Sequence, residues 1–278
     1  MARIRSPLML AAAVAAVAPL LATPRGALAQ EDDDRRVVAV MRYYNNTGDD
    51  KYEHLGRAFS SMMISDLSVI ERIRLVERER IEELTKELDF QQSGYVDPES
   101  AQTVGMMIGA EWVVTGAFLT VDPEMRLDTR VANVESTEIV TTAEVTGEQE
   151  SLFDLQQRLS DQVVAGLELA LTEEEQAALR AQQEANRIDD LDTMVRFSQA
   201  LCLVDYGDYV GAAEELQEVQ TRAPGSAIVR ATLGLMKDKA EDEVKNAVTA
   251  EANRRIGGLL GRNRNPQPQR KPRPAECG

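Results

Sequence analysis

The chain has 278 residues and a formal net charge of −16, an acidic balance that repels phosphate backbones and excludes nucleic acid as a partner class. One histidine and two cysteines, Cys202 and Cys277, offer neither a zinc ligand set nor a disulfide framework. The length suits one domain of ordinary size plus a smaller one.

The N-terminus reads as a secretion signal over residues 1–29. Arg3 and Arg5 precede an apolar run from Leu8 to Leu21, and Ala27-Leu28-Ala29 forms a small-residue cleavage site before Gln30. The run is too short and too Ala-rich for a permanent membrane span. Cleavage removes Arg3, Arg5 and Arg25, taking the formal charge from −16 to −19, and predicts a soluble periplasmic chain. Residues 30–36 form a charged leader expected to be disordered, with Asp32-Asp33-Asp34 solvated rather than cation-binding.

The unbroken apolar run from Val37 to Met41 predicts a central strand. Asn45-Asn46-Thr47-Gly48 is rich in turn formers; it also fits a glycosylation acceptor, though the turn reading is preferred. A helix is expected from about Tyr52 to Val69, with Leu55, Phe59, Met62, Met63, Asp66 and Ile70 near one side. His54 is expected on the surface near its start. Ile73 to Glu77 reads as a short strand entering an amphipathic helix marked by Ile81, Leu84 and Leu88. The alternating charges of Glu77-Arg78-Glu79-Arg80 read as a solvated face. Gly94 breaks that helix; Asp97 caps the next and Pro98 occupies its first position, where a missing N–H costs nothing. Gly109 stops this second helix, and Trp112-Val113-Val114 reads as a strand buried on both faces.

From Phe118 to Val145 the pattern is a compact meander. Asp122-Pro123-Glu124 and Asn133 to Thr137 make the turns, and Leu127, Thr129 and Val131 alternate with Arg126, Asp128 and Arg130. Ser151 to Leu171 is a leucine-spaced helix. Thr172 and Glu175 form a capping box for a polar helix over 172–190, a connector or alternatively a partner surface. Residues 191–260 form a helical module, and the basic, Pro-rich tail 261–278 is expected to be disordered. Cys202 is read as core; Cys277 is read as a free or intermolecular thiol.

The stretch Val76-Glu77-Arg78, Glu87-Leu88, Gln91-Gln92-Ser93-Gly94, Val96-Asp97-Pro98, Gly109-Ala110 and Thr115-Gly116 resembles the CsgG family, and a looser likeness runs over residues 37–171. The motif positions are Glu77, Arg78, Gln92, Gly94, Asp97, Pro98, Gly109, Ala110 and Gly116. The resemblance implies an α/β (α+β) domain with a small mixed sheet flanked by helices, belonging to outer-membrane or cell-surface assembly of the curli type. Pore-forming members carry long barrel hairpins and resemble lipoproteins. Here the strands read as lacking the extra length, about nine to eleven residues, that spanning demands, and no cysteine marks the cleavage point. The helical module resembles a tetratricopeptide repeat, with Ala200, Gly207, Tyr209, Ala212 and Pro224 at matching offsets and no obvious Trp. A lone repeat must pack on another element.

No phosphate loop, nucleophile elbow or placed histidine base is present in the sequence, so no catalytic, cofactor or metal residue is assigned and a non-enzymatic role is expected. The reading is a periplasmic scaffold or adaptor with protein partners in the cell envelope and at most peripheral membrane association. No small-molecule substrate is identified, and the chain is open to self-assembly. The alternatives are a ring-forming component of a secretion channel or a periplasmic regulator of envelope enzymes.

Overall fold

The computed structural model describes residues 35–87, 98–121, 123–136, 138–167, 169–259 and 277. A mixed sheet of six strands forms the first part of the chain. Strand β1 (Arg36–Val40) lies between β3 (Ile73–Leu75) and β4 (Trp112–Val121), parallel to both, as its unbroken apolar run requires. Strands β5 (Glu124–Asn133) and β6 (Ile139–Glu148) complete the expected antiparallel meander. A two-residue strand β2 (Tyr44–Asn45) also pairs with β4.

Alternation along the strands divides the side chains between two cores. On one face Val38, Val40, Val114, Phe118, Leu127 and Val145 pack against helices α1 (Leu55–Leu67) and α4 (Leu152–Gly166). On the other, Val37, Ala39, Met41 and Val113 meet α2 (Arg78–Glu87) and α3 (Pro98–Ile108) through Ile81, Ala101, Val104 and Ile108. Helix α5 (Glu173–Ala185) lies on α1. Helices α6 (Leu191–Asp205), α7 (Tyr209–Arg222) and α8 (Ala227–Leu259) follow, with α6 on α1, α7 on α6 and α8 on α7. Phe197, Leu201, Leu216, Val219 and Leu233 belong to the same core as the sheet face under α1. The helical region therefore buries its apolar stripe on the sheet-covering layer.

Several sequence expectations shift. The first helix is shorter than read: a 3₁₀ turn, Asp50–Tyr52, comes first, and α1 starts at Leu55. Helix α4 stops at Gly166 rather than Leu171; Gly166 lies on Thr141 so closely that a Cβ would come within 2.4 Å of its methyl carbon. The meander strands are longer than expected: β4, β5 and β6 each run ten residues. Length therefore does not set this meander apart from a membrane hairpin. What does is the packing of its apolar face: Leu127, Val131 and Val145 are already buried in the core with α4, so they are not free to face lipid. Cys202 and Cys277 are joined by a disulfide, correcting the reading of Cys277 as a free or intermolecular thiol. Spacing alone could not reveal this pairing, because the partners lie 75 positions apart. Constraining an unfolded loop of that size stabilises by about 4 kcal/mol in the chain-entropy account.

One aromatic residue fixes how β1 passes into β2. Tyr43 sits at the break between them, its N–H donating to the Gly56 carbonyl at 3.3 Å. Its ring lies over Gly116, and its hydroxyl is 2.8 Å from Thr129 Oγ1 on the neighbouring strand. A Cβ at Gly116 would fall 2.2 Å from the Tyr43 ring, and one at Gly56 would fall 1.8 Å from the Tyr43 carbonyl oxygen. Both glycines are thus set by the tyrosine between them. Gly116→Ala should destabilise by about 2 kcal/mol or more through overpacking. In a double-mutant cycle measured by urea unfolding, most of that cost should disappear in a Tyr43→Ala background. Additive effects would show that the close approach is not what Gly116 serves.

Candidate interaction surfaces

The motif residues fall into three groups. Glu77 is exposed, and its carbonyl opens α2 by accepting from Arg80 and Ile81 N–H at 3.1 and 3.3 Å. Pro98 is the first residue of α3. Gly109 ends α3 with φ +70°, a left-handed turn in which the buried Ala110 donates its N–H back to the Gly105 carbonyl at 2.9 Å. Gln92, Gly94 and Asp97 lie outside the described residues.

Arg78 belongs to the third group and departs from the expected solvated face. Its guanidinium is buried and pairs with Asp205 at the end of α6. Arg57 on α1 donates from Nε to the other oxygen of Asp205 at 2.8 Å, and its Nη1 lies 3.2 Å from His54 Nδ1. A guanidinium only donates, so His54 accepts there. His54 is buried, not on the surface as expected, because it closes this cluster from the start of α1. The Asp205 side chain is 0% exposed and that of Arg57 5%, so burial here depends on each charge having its partner.

A second buried carboxyl, Asp66, lies near the other end of α1. Burial raises its pKa to about 6; the Gln156 Nε2 donor at 2.9 Å opposes the rise, and the nearby Asp161 charge adds to it. Around it Gln182 and Asn186 at the end of α5 donate to Ser65 at 2.8 and 2.9 Å, and Gln183 reaches Asp161 at 3.3 Å. The α1–α4–α5 junction is therefore polar. The sequence signal was an acid on the apolar side of the helix.

Beyond α2 and α3 the sheet face is open. Thr115, Ala117, Arg126, Asp128, Thr142 and Glu144 line, with Tyr44 and others, a cavity of about 250 Å³. Arg126 bridges Asp128 and Glu144, each at 2.8 Å, and with Arg130 also in the lining the ledge carries two charges of each sign. The outer edge of β6 is blocked by α4. Gln162 bonds both the N–H and the carbonyl of Glu144 at 3.3 and 3.5 Å, and Arg158 donates to the Thr146 carbonyl at 2.9 Å. Such covering suppresses edge-to-edge strand pairing.

The helical positions singled out in the sequence come together at two turns. Ala200 and Ala212 are fully buried in the α6–α7 contact. Gly207 turns the chain with φ +73°, and Asp208 caps α7 by accepting from Gly211 N–H at 2.9 Å. The half-buried Tyr209 lies under Lys239, whose ammonium is 5.0 Å from the ring centroid. The Pro224 carbonyl accepts from Arg230 at 3.0 Å. Between α6 and α7, Asp192, Val195, Arg196, Gln199, Glu215 and Arg222 line a groove of about 470 Å³ that also contains Cys277. Among the described residues no group of three His, Cys, Asp or Glu side chains is placed to hold a metal ion. None of the described helices is long and apolar enough to cross a membrane.

Residues 25–126 match the sequence model of the family described as "Curli production assembly/transport component CsgG", which supports the resemblance over that range. No curated protein matches the sequence. Solved structures with partial likeness include the LpoB C-terminal domain from Salmonella enterica, at 15% identity over 41% of this chain and 82% of that one, TM-score 0.34. Lipoprotein GNA1162 from Neisseria meningitidis matches at 14% identity over 49% and 99%, TM-score 0.34. The PelC dodecamer from Paraburkholderia phytofirmans matches at 18% identity over 48% and 88%, TM-score 0.28. At such scores none of the three bears on function.

Two variants test the buried charges. Asp205→Ala should destabilise by about 3–5 kcal/mol, because it strands two guanidiniums, while Asp205→Asn should lose less by keeping an acceptor. A cost below about 1 kcal/mol by chemical denaturation would mean that the arginines find water instead. For Asp66 the native pKa of about 6 exceeds the ordinary 3.8, so its favourable contribution is present below pH 4 and is lost as pH rises through 6. The stability of Asp66→Asn relative to the native chain should therefore rise by about 2 kcal/mol between pH 4 and pH 7.5. A pH-independent difference would show that the carboxyl titrates normally.

Proposed function

We propose that the chain is a non-enzymatic, exported scaffold or adaptor of the cell envelope, in which a CsgG-like domain presents a tetratricopeptide-like helical module. The observation that carries this reading is the match of residues 25–126 to the curli assembly/transport family, with a helical stack fused onto that domain through α1. The Cys202–Cys277 disulfide supports export, since paired structural thiols belong to oxidising compartments outside the cytoplasm. The open, charge-balanced ledge on β4–β6 and the α6–α7 groove supply two separate surfaces for protein partners. The burial of the meander's apolar face with α4 favours the adaptor over a channel component.

Photo-crosslinking residues introduced at Thr142 on the ledge and at Gln199 in the groove, in intact cells, test the reading. Adducts with envelope proteins from at least one position are expected, together with recovery of the chain in the periplasmic fraction with its disulfide intact. Light scattering of residues 30–278 without detergent should give a monomer or dimer. A discrete multi-subunit ring, or silence at both crosslinking positions, would overturn the adaptor reading.

A further inference from the structure

The α6–α7 groove has a property that the scaffold reading does not use: it already holds Cys277. Asp192, Val195, Arg196, Gln199 and Cys202 recur at positions three or four apart, so they share one stripe of α6. Glu215 on α7 reaches across to Arg196 at 3.7 Å and bridges the two helices. Cys277 lies in this groove, 1% exposed, with its sulfur bonded to that of Cys202. A residue 75 positions away has thus been brought to the one point of the stripe that carries a thiol.

We propose that this groove is a peptide-docking surface whose occupant is the chain's own Cys277 segment, and that the disulfide is the latch holding it. The lining suits an extended peptide rather than an apolar helix. It offers donors from Arg196 and Arg222, acceptors from Asp192 and Glu215, both functions from Gln199, and Val195 as the apolar contact. Recognition by the groove precedes the bond and raises the local concentration of one thiol at the other. Opening the latch requires a dithiol reductant. Its thiolate attacks one sulfur and the Cys202–Cys277 bond breaks. Two electrons leave two thiols on the chain and a new disulfide on the reductant. The groove is then vacant for a segment of similar character.

The test uses the full chain with Cys277→Ser, which leaves Cys202 as its single thiol. A synthetic peptide of residues 270–278, its cysteine activated as the mixed disulfide with nitrothiobenzoate, is offered alongside a scrambled peptide of the same composition. The Cys202 thiolate, having lost its proton to buffer, attacks the peptide sulfur. Nitrothiobenzoate leaves with the electron pair and is followed by its absorbance. The native-order peptide should react at least tenfold faster, and Arg222→Ala should remove most of that advantage. Equal rates for the two peptides would overturn the docking site. Where neither reacts while urea-unfolded chain does, the variant's own segment competes for the groove, and reoxidation of the wild-type chain with excess peptide decides, equal capture of the two peptides there overturning the site. Circular dichroism checks folding. Should Cys277→Ser not fold, the wild-type chain is reduced and reoxidised with excess peptide. Mass spectrometry then counts mixed disulfides, where the same preference for native order is required.

Discussion

The Asp205 carboxylate, closed off from solvent, decides how the two parts of this protein sit together. It ends α6, and its two oxygens are taken by Arg57 from the helix covering one sheet face and by Arg78 from the helix covering the other. Three elements far apart in sequence meet at one charge. Coulomb attraction in a poorly solvated site is strong, yet so is the cost of stripping water from each ion, and the balance favours folding only while every member is present. Phe197 and Leu201 are among the α6 residues buried in the shared core, but hydrophobic contact is non-directional. The ion cluster specifies the position of α6 along α1 more sharply than the apolar surface does.

The order of strands and helices was legible in the sequence because it rests on local signals. The apolar run at Val37 predicts a central strand, alternation around Thr129 predicts a half-covered one, and Thr172 with Glu175 closes as a capping box at 3.1 and 2.9 Å. What was not legible depends on partners supplied from elsewhere. Arg78 stands in a charge-alternating run that looks solvated, and nothing near it announces that a carboxylate 127 positions later will claim it. His54 was misjudged for the same reason. The candidate surfaces were the least readable, since the ledge on β4–β6 exists only because α2 and α3 stop short of it.

Tyr43 shows how a motif glycine can be explained by a residue outside the motif. Gly116 neither turns the chain nor caps a helix; it lies within a strand, where glycine ordinarily weakens pairing. Its value comes from the ring that crosses it to reach Thr129. Strand β4 accepts β1 on one side of this crossing and β2 on the other. The crossing lets the chain leave the sheet, touch α1 at Gly56 and return.

Helix α1 carries its charges against its own dipole. Arg57 sits in its first turn, where the exposed N–H groups favour an anion, and Asp66 lies in its last turn, where the carbonyls favour a cation. A solvated helix would gain by exchanging them. Each is instead answered by tertiary structure: Asp205 meets Arg57, and the Gln156 amide meets Asp66. The two solutions differ in completeness. At the first, opposite charges meet. At the second, the carboxyl has only neutral donors, its pKa climbs, and Asn186 Oδ1 nearby lacks a hydrogen-bond partner among the described residues. Local preference is thus overridden at both ends of α1, and the incompletely answered polar atoms gather at its Asp66 end, by α4 and α5.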